Sequence, residues 1–582
     1  MSTVERRDAG SQRESDREDL LPTFEQVYTP VADSLVLSTL VAVIPIAILF
    51  ILLAVLRVAA HWASLASLAA ALIIAIAVYG MPVSLALNST VAGAAFGLFP
   101  IVWIVINAIW IYNLVVDTGN FDTVRDSLAS LSNDRRVQVV LIAFVFGALL
   151  EATAGFGTPV AITAALMAGL GFEAVYAAAL ALLANTAPVA FGGFGIPILT
   201  GAQVAQIDTL ELSQMVGRQT PLLALIVPGF LVVVMSGWRR MIEVWPIVVV
   251  SGVSFALSQF LVSNLLGPAL ADLLAAIIAV VAVVALLAVW RPREEWHFPN
   301  EPPAEERESY ETPPLGRVAY AWSPFIIIVV VLLLSQVGPI NTGIKATEEA
   351  INFSNAAPNQ QGAIAVPWPG LHEQVIRQPP AVAQAGPYPA LYQTNWLSAA
   401  GTLILISGII SLLVFRVGPG RALRVYGQTL NQLKWAILTI AAILGLAYLL
   451  NYSGMTYTMG LAFAATGVLF PFFASFIGWL GVALTGSDTS SNALFANLQK
   501  VTAQQIGVNP VLAVGANSSG GVLGKMISPQ NLAVGTSSTG LQGKEGDLFR
   551  LVLPWSIGLT IVMSIIVLLQ AYVVPWVVPG GG

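Results

Sequence analysis

The chain has 582 residues, of which 57% are hydrophobic and only 10% are charged, and its mean hydropathy is +0.80. Water-soluble domains carry roughly 25% charged residues, so this composition excludes an ordinary soluble protein and indicates a membrane protein. Cysteine is absent, which excludes disulfides, thiol catalysis and zinc–thiolate sites. The three histidines are dispersed and the net charge is −6. We therefore expect no metal, no cofactor and no nucleic-acid partner.

Apolar segments long enough to cross a bilayer follow one another along most of the chain. Each is about 20 residues long, the length that spans the hydrocarbon core, and we count about 12–14 crossings. The predicted order is a polar, disordered extension at 1–30, a first membrane half at 31–290, a cytoplasmic loop at 291–320, a membrane segment at 321–336, an extracellular loop at 337–395 and a second membrane half at 396–582. The amino-terminal residues show no cleavable signal pattern, so we expect an uncleaved, multi-pass protein of the plasma membrane.

The distribution of arginines predicts how the chain is oriented. Loops that contain Arg57, Arg135, Arg291 and Arg421 are expected in the cytoplasm, because positively charged loops stay inside. The 337–395 loop has few basic residues and is rich in Pro, Gln and Asn. We therefore expect this loop, and with it the amino terminus, on the outside.

A sequence repeat relates the two membrane halves. The cluster at 147–200 contains "ANT", Gly192 and Pro197, and the cluster at 481–535 contains "ANS", Gly524 and Pro529 at one constant offset. Upstream, "GALLEATAGFGTPVA" lies opposite "GVALTGSDTSSNALF". Small residues could simply allow close helix packing, but paired interruptions of apolar segments are typical of transporter binding sites. The sequence thus predicts an all-α polytopic membrane protein with two inverted-type repeats, each carrying interrupted, re-entrant hairpin-like segments.

The interruptions provide the candidate substrate-binding residues. Irregular backbone inside a bilayer is tolerated only where it is buried in protein or lines a watery cavity. Helix N-termini there would attract a small anion, and hydroxyls, amides and cations would bind its oxygens. The candidates are Gly155, Phe156, Gly157, Asn185, Thr186, Arg218, Thr485, Ser487, Thr489, Ser490, Ser491, Asn492, Asn517, Ser518, Lys525 and Gln530. Arg218 could grip a carboxylate through its guanidinium, or be an interfacial arginine.

Two carboxylates and one lysine stand beside the interruptions. Charged residues at membrane depth are costly and usually face a cavity and a partner. Glu151 and Asp488 are therefore candidates for proton coupling, with Lys525 attracting an anionic substrate. Alternatively, Lys525 forms a buried ion pair with either carboxylate that only joins the repeats. Asp272 lies near a helix end and is expected at the membrane interface.

Several long blocks resemble the L-lactate permease family. They are "EATAGFGTPVAITAALMAGLGF", "ANTAPVAFGGFGIPI", "MVGRQ", "LTGSDTSSNALFANLQ" and "GGVLGKMISPQ", and the resemblance extends from about Tyr28 to the end. It implies a polytopic carrier that couples uptake of L-lactate, and of related 2-hydroxy monocarboxylates such as D-lactate and glycolate, to protons.

Two other functions remain open at this point. Sodium could replace the proton as the coupling ion, because backbone carbonyls at such breaks also coordinate sodium. A different class would be an intramembrane aspartyl-type protease with Glu151 and Asp488 as its carboxylate pair, since two carboxylates that share a proton can perform that chemistry. Paired breaks lined by amides and hydroxyls favour transport.

Overall fold

The computed structural model describes residues 23–153, 155, 157–298, 313–352, 357–358 and 364–580. The helices are α1 (Leu35–Phe50), α2 (Ala60–Ala77), α3 (Val83–Phe96), α4 (Trp103–Asp117), α5 (Asn120–Ala129), α6 (Arg135–Thr153), α7 (Thr158–Gly169), α8 (Ala174–Ala184), α9 (Gly192–Ala205), α10 (Thr209–Val216), α11 (Thr220–Ser236), α12 (Trp238–Glu243), α13 (Trp245–Leu265), α14 (Ala271–Val289), α15 (Leu315–Gln336), α16 (Gly338–Ile351), α17 (Ala400–Val414), α18 (Pro419–Ser453), α19 (Met455–Phe463), α20 (Phe470–Thr485), α21 (Asp488–Ile506), α22 (Pro510–Gly524), α23 (Pro529–Ser538) and α24 (Glu545–Tyr572). The strands are β1 (Phe24–Glu25), β2 (Ala357–Pro358), β3 (Ile364–Pro367), β4 (Val375–Arg377), β5 (Gly386–Pro387) and β6 (Leu391–Gln393).

The described residues confirm an all-α polytopic membrane fold. They contain 11 helical segments long and apolar enough to cross a bilayer, or up to 12 when the bent pair α8–α9 is included. The sequence predicted about 12–14 crossings, with the number depending on how the interrupted segments are counted. The difference arises because some apolar segments, such as α7 and α17, fold as helices too short to span on their own.

The predicted interruptions include the turns of two helical hairpins. Hairpin 1 consists of α6 and α7 and turns between Thr153 and Thr158, and hairpin 2 consists of α20 and α21 and turns at Gly486 and Ser487. Gly157 (φ 83°) and Gly486 (φ 75°) adopt left-handed backbone at these turns. Glycine does this without steric cost, which explains its position at both tips.

The two arms of each hairpin pack against each other. In hairpin 1, a Cβ atom on Gly147 of α6 would lie 3.5 Å from the methyl group of Thr163 on α7. In hairpin 2, the Ser491 hydroxyl on α21 donates a hydrogen bond to the Gly478 carbonyl on α20 at 3.2 Å. The chain therefore folds back on itself in both halves.

A span that breaks midway follows each hairpin. In broken span 1, α8 and α9 are bent by 62° around a 3₁₀ turn at Val189–Phe191. In broken span 2, a 3₁₀ turn at Lys525–Ile527 separates α22 from α23, and Ser528 caps α23 by accepting from the Asn531 N–H. Each membrane half thus contributes one hairpin and one broken span.

The two hairpins enter from opposite faces of the membrane. Beyond α7, the centroid of the Phe172 ring lies 5.5 Å from the centroid of the Phe298 ring, and Phe298 precedes α15. Near the end of α21, Gln505 donates a hydrogen bond at 2.6 Å to the carbonyl of Pro380, which follows α15. Because α15 crosses the membrane once between these positions, the hairpins open to opposite faces, as in an inverted repeat.

The described residues between 337 and 395 form a cap over one face of the bundle. The cap contains α16 and the strands β2 to β6, and β1 pairs in parallel with β4. The Gln26 side chain donates to the carbonyls of Asn451 and Tyr452 at the end of α18, at 2.8 and 2.9 Å. Residues 23–30 are therefore part of this folded face, which corrects the extension predicted for 1–30; residues 1–22 lie outside the described residues. The sequence signal was missed because only three alternating residues, Phe24, Gln26 and Tyr28, are buried.

Gly520→Ala is expected to destabilise the protein, because its Cβ atom would overlap the Ser475 carbonyl of α20. Overpacking of this kind costs about 1–3 kcal/mol, which should lower the melting temperature of the purified protein. Gly558→Ala is the matched control, since a Cβ atom there meets nothing within 4 Å and alanine favours a helix. Equal melting temperatures for the two variants would contradict this packing.

Candidate functional site

The hairpin tips and the two breaks meet around one small cavity. Its volume is about 60 Å³. A water molecule needs about 10–15 Å³ by the same measure, so the cavity holds a handful of non-hydrogen atoms. Its walls are formed by Glu151, Gly155, Val189, Gly192, Gly193, Ile196, Pro197, Gly486, Ser487, Asp488, Thr489, Lys525 and Gln530.

A buried ion pair joins the two halves at this cavity. The Nζ of Lys525 lies 2.7 Å from Oε1 of Glu151, and the two side chains are 7% and 4% exposed. The Asn185 amide donates to the other carboxylate oxygen at 2.9 Å. A Cβ atom on Gly192 would lie 2.6 Å from Oε1 of Glu151. Hairpin 1 and broken span 2 are therefore held together by a pair that a larger residue at 192 would displace.

Asp488 begins the second arm of hairpin 2, just after its tip, and makes no ion pair with any described cation. Its Oδ2 accepts from the Ser518 hydroxyl at 2.6 Å and from the Asn492 amide at 3.5 Å. Its Oδ1 is buried without a hydrogen bond to any described residue, and lies where a Cβ atom on Gly521 would be. The two carboxylates at the cavity thus differ in charge environment, because Glu151 is ion-paired with Lys525 and Asp488 forms no ion pair within the described chain.

The amides behind the cavity wall form a network with one another. Asn517 donates to the Asn492 side chain at 2.8 Å, and Gln499 donates to Asn517 at 3.2 Å. Asn492 in turn donates to the carbonyl of Pro197 in broken span 1 at 3.1 Å. Buried polar groups of this kind need partners, so these amides chiefly fix hairpin 2 against both broken spans.

The structure brings many of the predicted site residues together. Those in the cavity wall are Glu151, Gly155, Ser487, Asp488, Thr489, Lys525 and Gln530. Those in the polar network behind it are Asn185, Ser491, Asn492, Asn517 and Ser518. Thr485 and Ser490 line a larger neighbouring cavity. Thr186 donates to the Leu183 carbonyl, Gly157 faces Asn531, and Phe156 lies outside the described residues.

Arg218 lies apart from the cavity. Its Nε donates to the Asn264 side chain at 3.0 Å, and its Nη1 donates to the Val577 carbonyl at 2.6 Å. It lines a different, largely apolar cavity between α11, α13 and α24. These contacts engage the guanidinium with the protein itself. They therefore favour an interfacial arginine over a residue that binds the substrate carboxylate.

The interpretation of Asp272 from the sequence was wrong, and some residues of the cavity wall were missed. Asp272 is not interfacial: it is 1% exposed and its Oδ1 accepts from the Gln259 amide at 2.7 Å. Proximity to a helix end does not reveal what packs over that end.

Gly193 and Ile196 also line the cavity, and the glycines of "GGFG" were the available signal for this wall. Among the described residues, no group of three or more His, Cys, Asp or Glu side chains could hold a metal ion.

Comparison with known proteins places the chain in a family. The family model for L-lactate permease matches residues 38–574. The chain belongs to the L-lactate permease family. The glycolate permease GlcA of Escherichia coli (strain K12) is 46% identical over 95% of this chain and 98% of its own length. The L-lactate permease of Bacillus subtilis (strain 168) is 44% identical over 96% of this chain and 100% of its own.

A solved structure with a similar arrangement is the YdaH transporter of Alcanivorax borkumensis. The match has a TM-score of 0.44 and 14% sequence identity, and covers 83% of this chain and 87% of that chain. Family membership makes the present protein a membrane transporter and not an enzyme. The hypothesis of an aspartyl-type protease is therefore wrong, and Glu151 is ion-paired with Lys525 instead of sharing a proton with Asp488.

Lys525→Met is expected to lower the melting temperature strongly, because it leaves the Glu151 carboxylate buried without its cation. Breaking a buried pair in this way costs about 3–5 kcal/mol. The double variant Glu151→Gln/Lys525→Met removes both charges and should melt above Lys525→Met alone. Lys434→Met, at an exposed position, is the control and should melt like the wild type. Additive losses in the double variant would show that the two residues are not coupled.

Proposed function

We propose that this permease takes up L-lactate and related 2-hydroxy monocarboxylates, including D-lactate and glycolate, by proton symport across the plasma membrane. The relatives named for L-lactate and glycolate support the choice of substrate. The observation that carries the proton coupling is the unequal pairing of the two buried carboxylates, Glu151 with Lys525 and Asp488 with no cation.

The charges around the cavity link anion binding to proton binding. Lys525 already neutralises Glu151, so a substrate anion would add a second negative charge beside Asp488. Repulsion between like charges is strong where water is excluded. A proton on Asp488 removes this repulsion. The substrate anion and the proton therefore stabilise each other in the same site and travel together.

The wall of the cavity offers groups that suit a small hydroxy acid. An ammonium group has three donors, so Lys525 can bind a carboxylate oxygen while it stays paired with Glu151. The first turn of α21 presents its N-terminus to the cavity, where backbone N–H groups and the helix dipole favour an anion. The hydroxyls of Ser487 and Thr489 and the amide of Gln530 are available for the substrate's 2-hydroxyl group.

Alternating access would follow from the inverted arrangement. In the proposed cycle, the hairpins and broken spans move against the remaining helices and expose the cavity to one face at a time. Asp488 binds a proton and the cavity binds the anion on the outside, and both leave on the inside, where their concentrations are lower. The cap at 337–395 lies outside in this orientation, which rests on the arginine-rich loops of the opposite face.

Uptake by the purified protein in sodium-free liposomes tests the proposal. An inward proton gradient should drive accumulation of labelled L-lactate, a protonophore should abolish it, and D-lactate and glycolate should compete. Uptake that begins only when sodium is added would replace the proton by sodium as the coupling ion. No uptake of any of these acids, with or without sodium, would contradict the proposed substrate class.

Asp488→Asn is expected to abolish proton-driven accumulation of lactate while exchange of internal for external lactate continues. Asparagine resembles the protonated carboxyl group in size and neutrality, so the anion still binds but no proton is carried. Asp547→Asn changes an exposed carboxylate (side chain 66% exposed) and should accumulate lactate like the wild type. Accumulation by Asp488→Asn at the wild-type level would exclude Asp488 as the proton carrier.

A further inference from the structure

A second, larger cavity lies directly beside the substrate cavity. Its volume is about 970 Å³, and we refer to it as the vestibule. Ser487 and Gln530 line both cavities, so only the tip of hairpin 2 and the start of α23 separate them. The remaining walls come from α2, α18 and the start of α24. The vestibule is therefore continuous with the place where the substrate is proposed to bind.

The vestibule reaches one face of the membrane. Its lining includes Arg57, between α1 and α2, His61, in the first turn of α2, and Gly543 and Glu545, at the start of α24. The preceding helix α1 begins beside β1 at the cap and ends near Arg57. Because α1 crosses the bilayer once, these residues lie on the face opposite the cap, which the arginine distribution predicts to be cytoplasmic.

The opposite face is closed by the cap. The Pro389 carbonyl accepts hydrogen bonds from the Gln206 side chain at 3.3 Å and from the Tyr452 hydroxyl at 2.8 Å. The Tyr388 ring stacks on Tyr452 with ring centroids 4.5 Å apart. The cap thus covers the ends of α9 and α18, and the structure has the geometry of a carrier closed on the cap face.

Arg57 is the cation at the mouth of the vestibule, where its charge also acts on the nearby Glu545 carboxylate. It is exposed, and within the described chain its guanidinium makes no ion pair or hydrogen bond. Glu545, the acidic residue in the same lining, is already engaged: its Oε1 accepts from the Gly543 N–H at 3.2 Å and from the Thr536 hydroxyl at 3.0 Å. His61 is stacked on Trp435, with ring centroids 4.3 Å apart. An anion that enters or leaves the vestibule therefore meets Arg57 first.

We infer that the vestibule is the aqueous route between the substrate cavity and the Arg57 face, and that Arg57 binds the substrate carboxylate at its mouth. The identity of the anion rests on the proposed function. A guanidinium suits this role because it binds carboxylates through two parallel donors. A positive charge at the mouth of a cavity also raises the local concentration of anions. Arg57 is thus a second recognition point for the substrate on its way through the protein.

The absence of cysteine from the chain allows a direct test. A single cysteine is introduced by Ser490→Cys, deep in the vestibule, or in a second protein by Thr439→Cys on α18; both positions line the vestibule. Membrane-impermeant thiol reagents, one anionic and one cationic, are applied to the Arg57 face of oriented vesicles. Both reagents should react. Arg57→Gln should lower the ratio of anionic to cationic reaction rates several-fold, Glu545→Gln should raise it, and salt should reduce both effects.

Arg416→Gln is the matched control for Arg57→Gln. Arg416 is also exposed, follows a helix on the same face and has the same left-handed backbone, with φ 53° at both arginines, but it does not line the vestibule. Arg416→Gln should leave the ratio of anionic to cationic reaction rates unchanged. Equal ratios in the two variants would overturn the role of Arg57.

A further outcome would overturn the route itself. If only a membrane-permeant maleimide reacted at both introduced cysteines, the vestibule would be filled by lipid and not by water. These readouts need no substrate, so a failure of lactate uptake would contradict the proposed function alone.

In a transporting protein, Arg57→Gln should raise the KM for lactate efflux and leave the KM for lactate uptake unchanged, and Arg57→Lys should restore part of the loss.

Discussion

The ion pair between Glu151 and Lys525 is the interaction on which the arrangement of the site depends. An isolated charge at membrane depth is costly, so each residue requires the other at 2.7 Å. The pair connects hairpin 1 in the first half to broken span 2 in the second. It also engages the lysine at the cavity, and Asp488 makes no ion pair with any cation in the described part of the chain. Two halves that are similar in sequence thereby acquire different electrostatic roles.

The membrane fold, and the interrupted segments that line one cavity, could be predicted from the sequence. Glycines, prolines and asparagines that interrupt apolar segments at matched positions have few explanations other than a protein-lined cavity. The partner of Lys525 could not be predicted, because Glu151 is 374 residues away and Asp488 offered the same chemistry. Arg218 was difficult for the same reason, since its contacts include Val577, 359 residues away. Asp272 was misplaced because a position near a helix end does not show what packs over that end. The short alternation of buried residues before α1 was too brief to identify β1 as part of the cap.

The cap, the hairpins and the vestibule together describe a carrier whose two faces differ. On one face, β1 and the cap cover the helix ends through tyrosine stacking and hydrogen bonds to Pro389. On the other, a wide cavity leads from Arg57 to the tip of hairpin 2. Glycine turns at both hairpin tips allow the chain to reverse inside the protein, and the amide network fixes hairpin 2 to both broken spans. Movement of these elements as a unit would exchange which face is open.

We propose that a small hydroxy acid binds between the hairpin tips, at Lys525 and the first turn of α21. A cryo-electron microscopy structure of the protein with saturating L-lactate tests this binding site most directly. Density for the substrate is expected beside Lys525, Ser487 and Thr489, with the Glu151–Lys525 pair intact. Substrate density in the cavity beside Arg218, with the space between the hairpin tips empty, would contradict it.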